Sequence, residues 1–222
     1  MSLPSWINTI RALGWDLDGT LYPPSQALNK LIQKRQYQAV SEKMRWSIQR
    51  TGSEYEKRYI NLGSHTKTMS SFGIDGISFF TSVWDTIDLS RFIHRDERII
   101  RLFEAFTMRR HFLISNSNRL DQIKKKLLLI GLEPEIFEVI VQTEDLGEVK
   151  PDPAPFLFAL EKLQLPPEQT LFIGDRVNTD VLGAKGVGLR TVLVRGRSQE
   201  ADISLPTVYD VGRLFTKLKV KS

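Results

Sequence analysis

The sequence predicts an α/β protein in which a parallel sheet is covered by helices on both faces, and a helical segment is inserted near its start. Three observations lead to this prediction. Beyond about residue 96, short apolar or β-branched runs alternate with segments whose apolar residues recur at helical spacing. From Ser25 to Asp96 the pattern is mostly helical, and a short apolar run, Ile10–Trp15, precedes it. Alternating strands and helices are typical of a parallel sheet covered on both sides.

The first elements follow from local patterns. Ile10–Trp15 is predicted to be a short buried strand. Apolar residues at helical spacing then predict a helix from Leu28 to about Arg50, and Thr51–Ser53 is expected to end it. A second helix is predicted from about Glu54 to Leu62. The inserted segment is therefore expected to be a small helical unit.

The second half of the chain supplies the rest of the predicted sheet. Helices are expected around Glu97–Met108, at Leu120–Ile130 ending at Gly131, and from Pro153 with Asp152 as the N-cap. A short helix is also expected in "NTDVLGAKGVG". The strands between these helices are predicted, in order, at Phe112–Ile114, Phe137–Thr143, Thr170–Asp175 and Leu189–Val194.

Composition bounds the class of protein. The 222 residues are 41% hydrophobic, which suits one sizeable core with a smaller accessory unit. There is no cysteine, so disulfides, thiolate metal sites and a cysteine nucleophile are excluded. No apolar run reaches membrane-spanning length and the start of the chain lacks a secretory pattern, so a cytoplasmic protein without a membrane partner is expected. The net charge of +5 is scattered along the chain, which does not favour a nucleic-acid partner.

Polar residues follow four of the predicted strands. The first strand is followed by Asp16-Leu17-Asp18-Gly19-Thr20, and the second by Ser115-Asn116-Ser117-Asn118. Lys150 follows the third, and "GDRVNTD", with Asp175 and Asp180, follows the fourth. The carboxyl ends of parallel strands share one edge, where ligands bind in open α/β sheets. We therefore expect these groups to converge there.

The converged groups are carboxylates, a hydroxyl and an ammonium. Carboxylate oxygens without histidine or cysteine suit Mg²⁺, which binds to one or two carboxylates and keeps several waters. Such a cation would offset the repulsion between Asp16 and its acidic neighbours and would attract a phosphate. The predicted cofactor is Mg²⁺.

These motifs resemble those of the haloacid dehalogenase superfamily. "DLDGT" resembles its first motif, "ISNS" its second, "VKPDP" its third and "GDRVNTD" its fourth, in the family's order. The resemblance implies a Rossmann-like core of residues 1–24 and 97–222, with residues 25–96 as a helical cap domain. "TLYPP" is also similar to a pyrimidine 5′-nucleotidase-like subgroup, whereas "GDR" is more similar to other subgroups.

The resemblance implies a role for each motif residue. Asp16 would be the nucleophile that forms an aspartyl-phosphate. Asp18 would protonate the leaving group and then activate water, and its anionic neighbours are expected to raise its pKa for the first step. Mg²⁺ would be bound by the Asp16 carboxylate, the Asp18 backbone carbonyl and Asp175. Lys150 would neutralise charge on the nucleophile and on the transferring phosphoryl group.

The remaining residues of the resemblance have supporting roles. Ser115 would donate a hydrogen bond to a phosphoryl oxygen, and Thr20 and Asn116 would also contact the substrate. Asp180 would orient Lys150 or a metal-bound water. Arg176 could bind a phosphate or carboxylate group, or form an ion pair at the surface, and the surface ion pair is the favoured interpretation.

The expected function is a Mg²⁺-dependent phosphomonoester hydrolase that acts on a small phosphorylated metabolite, such as a nucleotide or a sugar phosphate. Asp18 favours phosphatase over dehalogenase chemistry, because an alkoxide leaving group needs a proton. Two alternatives stay open at this point. One is a phosphomutase of the same superfamily, and the other is a non-catalytic protein that binds nucleic acid through its basic surface.

Overall fold

The computed structural model describes residues 3–116 and 119–216, except the side chains of residues 144, 145 and 216. The chain divides into two compact units. One extends to Pro24 and resumes at Ile93, and the other is Ser25–Phe92. Among the described residues, none of the helices has both the length and the apolar composition that a membrane span requires.

The larger unit is built on a six-stranded, fully parallel sheet. The strand order is β3-β2-β1-β4-β5-β6. Strands β2 and β3 are thus added on one side of β1 and the later strands on the other, which makes the carboxyl end of β1 the topological switch point. The strands are β1 (Ala12–Trp15), β2 (Arg110–Ser115), β3 (Val139–Gln142), β4 (Thr170–Gly174), β5 (Arg190–Val194) and β6 (Ile203–Leu205). The predicted Rossmann-like α/β class is confirmed, and the short edge strand β6 is an addition to it.

In the described part of the chain, four α-helices of the same unit lie between strands, and a fifth follows the last strand. They are α5 (Glu97–Glu104), α6 (Leu120–Ile130), α7 (Pro153–Leu163), α8 (Leu182–Gly186) and α9 (Arg213–Thr216). Sequence signals fix several of their ends. Asp152 accepts a hydrogen bond from the Ala154 backbone N–H at the start of α7, and Gly131 takes a left-handed conformation after α6.

The core under the sheet is aromatic at its centre. Phe112, Phe156 and Phe172 are almost fully buried and pack together from β2, α7 and β4. Gly14 of β1 has no side chain because a Cβ there would lie 2.1 Å from the Phe112 ring. In the parallel ladders, β1 is paired so that Trp15 lies beside Leu113 of β2 on one side and Ile173 of β4 on the other.

The smaller unit is entirely helical among its regular elements. It contains α1 (Gln26–Met44), α2 (Ile48–Leu62), α3 (His65–Ser71) and α4 (Gly76–Asp85). They surround an apolar cluster whose buried members are Val40, Tyr55, Met69, Phe72 and Phe80.

The predicted break at Thr51–Ser53 is wrong. Helix α2 runs through these residues, and the break lies earlier, where Arg45 has a φ of 55° and the Ser47 hydroxyl caps the next helix through the Arg50 N–H. Gly52 is accommodated inside α2 because the Tyr37 ring packs against it, 3.1 Å from where a Cβ would lie. Tertiary packing therefore overrides the local breaker signal.

Candidate active site

Asp16 follows directly after β1 and is buried, with 8% of its surface exposed. Its backbone N–H donates to the Ile173 carbonyl of β4 at 2.9 Å, which fixes the turn after the strand. One carboxylate oxygen, Oδ1, accepts a hydrogen bond from Lys150 Nζ at 2.7 Å. Burial raises the pKa of the Asp16 carboxyl to about 7, against the lowering effect of the Lys150 ammonium.

Lys150 lies between two carboxylates. Its Nζ is 2.7 Å from Asp16 Oδ1 and 2.7 Å from Asp180 Oδ1, and its side chain is 2% exposed. Burial lowers the pKa of Lys150, but the Asp16 and Asp180 carboxylates outweigh it and raise that pKa above its ordinary value. The buried ammonium is therefore charged and fixed in position.

Asp180 is held from a second direction. Its Oδ2 accepts a hydrogen bond from the Arg176 backbone N–H at 3.0 Å, within the turn that follows β4. Gly174 makes room for this contact, because a Cβ there would lie 2.3 Å from the Asp180 Cβ. The Asp180 carboxylate therefore contacts the Lys150 ammonium with one oxygen and the backbone after β4 with the other. The Arg176 side chain itself is exposed.

Asp175 lies beside the loop that follows β1. Gly19 has a φ of +94°, and a Cβ on it would lie 2.5 Å from Asp175 Oδ2, so glycine is required by both conformation and space. The Thr20 hydroxyl donates to Asp175 Oδ1 at 3.4 Å. Burial and the neighbouring Asp180 carboxylate raise the pKa of Asp175.

Three carboxylates converge at this edge of the sheet. Asp16, Asp175 and Asp180 each place one oxygen within 4.8 Å of the others. The second oxygen of Asp16, Oδ2, is buried and has no hydrogen-bond partner among the described residues. A buried carboxylate oxygen without a donor is costly, and a cation bound there would remove that cost. This cluster could therefore hold a metal ion.

The Asp18 carboxylate contacts a second lysine, Lys126, which is distinct from Lys150. Its side chain is 41% exposed, and Lys126 Nζ lies 2.7 Å from its Oδ1 and 3.0 Å from its Oδ2. The Tyr22 hydroxyl also donates to Asp18 Oδ1. The sequence predicted anionic neighbours for Asp18, and the structure adds a cationic one, Lys126.

Sequence reasoning missed Lys126. It lies on α6, three residues after Ile123 and four before Ile130, both of which are fully buried. A lysine on the apolar stripe of a helix was the signal, since charged side chains are rarely fully buried without a partner. Arg195 was also missed; its guanidinium donates to the Gly19 carbonyl at 2.7 Å and supports the loop after β1.

The remaining predicted residues lie in the same region. Ser115 is buried at the end of β2. The Asn116 side chain bonds to the Lys150 backbone in both directions, and the Thr20 hydroxyl bonds to Asp175, so both side chains have contacts inside the protein. Their binding of substrate stays a prediction. Ser117 and Asn118 of the same motif lie outside the described residues.

A sequence model of the haloacid dehalogenase-like hydrolase family matches residues 10–188, which is most of the chain. The chain belongs to this family. The match covers all four motifs and the helical segment between the first two. The predicted superfamily and its hydrolase class are thus confirmed.

Curated relatives within the family are named phosphatases. A glyceraldehyde 3-phosphate phosphatase of Methanothermobacter thermautotrophicus is 27% identical over 216 residues, which cover 87% of this chain and 89% of the relative. A phosphoglycolate phosphatase of Aquifex aeolicus is 36% identical over 104 residues, 45% of this chain and 48% of the relative. Other matches are shorter: the match covers 34% of a glyceraldehyde 3-phosphate phosphatase of Methanopyrus kandleri, and the Aquifex match likewise spans less than half of that relative.

Solved structures of this family share the fold. The crystal structure of a HAD phosphatase from Thermococcus onnurineus superposes with a TM-score of 0.71 at 22% identity. The superposition covers 93% of this chain and 98% of the other. At this level of identity, the likeness establishes the architecture.

Proposed function

We propose that the protein is a Mg²⁺-dependent phosphomonoester hydrolase that works through an aspartyl-phosphate on Asp16. The observation that carries the proposal is the environment of the Asp16 carboxylate. One oxygen is held by the buried Lys150 ammonium, and the other is buried without a hydrogen-bond partner among the described residues. One oxygen of this carboxylate also lies within 4.8 Å of an oxygen of Asp175. This arrangement suits a nucleophile that shares a cation with its substrate.

The donor set fits Mg²⁺. The converging groups are carboxylate oxygens, and histidine and cysteine do not take part. Asp16 and Asp175 would hold the ion with the Asp18 backbone carbonyl, while Asp180 stays on Lys150. When bound, Mg²⁺ supplies positive charge to the phosphoryl oxygens and keeps Asp16 ionised.

In the first step, an Asp16 oxygen forms a bond to phosphorus and the ester P–O bond breaks. Lys150, fixed by Asp180, stabilises the negative charge that Asp16 shares with the phosphoryl group. Asp18 gives its proton to the departing oxygen, so that an alcohol leaves instead of an alkoxide. Ser115, at the end of β2, would donate a hydrogen bond to a phosphoryl oxygen.

In the second step, water attacks phosphorus and the bond between the Asp16 oxygen and phosphorus breaks. Asp18 accepts a proton from the attacking water, inorganic phosphate is released, and the Asp16 carboxylate is restored. Asp18 is then ready for another cycle. The same residue serves as acid and then as base, which requires that its carboxyl group be aimed at the reacting oxygen in both steps.

The substrate we propose is a small phosphorylated metabolite, such as a sugar phosphate or a nucleotide. The curated relatives carry names of phosphatases for two such compounds, glyceraldehyde 3-phosphate and phosphoglycolate. We also propose that the helical unit Ser25–Phe92 is a cap that selects the substrate and excludes water. The pyrimidine 5′-nucleotidase subgroup, a cytoplasmic location and the absence of nucleic-acid and membrane partners stay predictions.

Phosphate release from a panel of phosphorylated compounds tests the proposal. The panel would contain sugar phosphates, nucleoside monophosphates, 2-phosphoglycolate and 4-nitrophenyl phosphate, each with MgCl₂ and with EDTA. We expect release from one compound class with Mg²⁺ and none with EDTA. Isomerised product without free phosphate would instead indicate a phosphomutase. Salt-sensitive binding of nucleic acid without any release would indicate the non-catalytic alternative.

A further inference from the structure

Lys126 is a buried lysine whose ammonium contacts Asp18. Its side chain is 2% exposed, although the side chain of Asp18 is 41% exposed. The lysine reaches the carboxylate from α6, the helix that follows the second motif. It is distinct from Lys150, whose ammonium contacts Asp16 and Asp180.

Burial makes this lysine an unusual choice for a helix core. An ammonium removed from water is strongly penalised unless a carboxylate or several acceptors replace its hydration. Three other buried positions of α6, Ile123, Leu127 and Ile130, are apolar, while Gln122, one turn before Lys126, is polar but uncharged. Among the described residues of this helix, Lys126 is therefore the one that is both buried and charged. A role at Asp18 explains a lysine at this position better than packing does.

We propose that Lys126 is a positioning residue that aims the Asp18 carboxyl group for proton transfer to the leaving group. The inference rests on the proposed function. A half-exposed aspartate would otherwise rotate among several conformers, and only some of them would reach the ester oxygen. The Lys126 side chain is almost fully buried, so its ammonium adds a second donor beside the Tyr22 hydroxyl and further restricts the orientation of the Asp18 carboxyl group.

Both oxygens of the Asp18 carboxyl group have donors inside the protein. Oδ1 accepts from the Tyr22 hydroxyl and from Lys126 Nζ at 2.7 Å, and Oδ2 accepts from Lys126 Nζ at 3.0 Å. Lys126 therefore contacts both oxygens, which restricts the rotation of the carboxyl group about its own axis.

The leaving group provides the decisive test. An unactivated ester needs a proton on its departing oxygen, but 4-nitrophenolate leaves without one. For Lys126→Met we expect kcat/KM to fall about 10- to 100-fold for the best unactivated ester of the panel, within the range of acid catalysis. For 4-nitrophenyl phosphate the change should stay below about 3-fold. Lys125→Met, an exposed lysine on the same helix, should change neither value.

A double-mutant cycle tests whether Lys126 acts through Asp18. In an Asp18→Asn background, Lys126→Met should change kcat/KM for the unactivated ester by less than about 3-fold, since the group to be aimed no longer carries a proton. Thermal unfolding confirms that each variant is folded, and Lys126→Gln replaces Lys126→Met if the latter does not fold. If the wild type does not hydrolyse 4-nitrophenyl phosphate, the double-mutant cycle alone tests the role of Lys126.

The outcomes separate this inference from the proposed function. Equal losses for both esters, no loss for either, or additive effects in the cycle would overturn the role of Lys126 while the wild type remains an active phosphatase. If the wild type releases no phosphate from any unactivated ester, the proposed function itself fails, and the inference fails with it.

Discussion

Asn116 and Lys150 form a reciprocal pair of hydrogen bonds across the site. Asn116 Nδ2 donates to the Lys150 carbonyl at 3.1 Å, and the Lys150 N–H donates to Asn116 Oδ1 at 2.9 Å. The pair ties the residue after β2 to the backbone of the lysine that contacts Asp16. A residue of the second motif therefore fixes the position of the third motif's cation.

Asn116→Ala removes both hydrogen bonds and frees the Lys150 backbone. We expect kcat to fall about 10- to 100-fold, because a displacement of about 1 Å at a catalytic group has effects of this size. Steady-state kinetics with the best substrate of the panel measures the change. Asn8→Ala, an exposed asparagine of the same unit, serves as the control and should leave kcat unchanged. An unaltered kcat in Asn116→Ala would contradict the positioning role.

Asp16→Asn removes the proposed nucleophile. We expect kcat to fall by more than about 10³-fold, because no aspartyl-phosphate can form. The variant should remain folded, since the amide retains the shape of a side chain whose burial already disfavours its charge. Circular dichroism and phosphate release measure both properties, with the exposed Glu104→Gln as the matched control. A folded Asp16→Asn protein with full activity would exclude the mechanism.

Mg²⁺ should stabilise the protein in the absence of substrate. A cation at Asp16 and Asp175 offsets the repulsion of the carboxylate cluster, so thermal unfolding should shift upward with MgCl₂. KCl at equal ionic strength is the control for screening. The shift should largely disappear in Asp175→Asn. An equal shift in that variant would show that Mg²⁺ binds elsewhere.

His111 should make stability depend on pH. Its Nδ1 accepts from Trp15 Nε1 at 3.1 Å, which assigns the Nε2–H as donor to the Phe106 carbonyl at 3.3 Å. Burial lowers the pKa of His111 from 6.5 to about 4. As pH falls, the histidine is therefore protonated in the unfolded chain before it is protonated in the native protein. The free energy of unfolding should fall by about 3 kcal/mol between pH 6.5 and 4.

Urea unfolding at several pH values measures this loss. His111→Gln should be less stable than the wild type at pH 7.5, and the difference should shrink as pH falls toward 4. His94→Gln, at an exposed position, should follow the wild-type curve. Parallel curves for the wild type and His111→Gln would show that this histidine does not titrate differently in the two states.

The sequence was sufficient to predict which strand ends carry the site. Asp16 and Asp175 directly follow β1 and β4, and Lys150 and Asp180 lie further along the segments that follow β3 and β4. Parallel strands bring their carboxyl ends to one edge whatever the details of packing. The hydrophobic pattern specified the order of elements because strand and helix periods differ. The class of the fold and the convergence of the carboxylates were therefore available from local signals.

Contacts between elements distant in sequence were decided by the tertiary structure. Lys126 and Asp18 are 108 residues apart, and Asn116 and Lys150 are 34 apart, and no local pattern specifies which side chains meet across such separations. The break between α1 and α2 lies at Arg45 and not at the predicted Thr51–Ser53 for a related reason. A glycine inside a helix costs about 1 kcal/mol relative to alanine, and the packing of Tyr37 against Gly52 offsets that cost. Periodicity determines which face of an element is buried, and the register of packed elements determines what that face contacts.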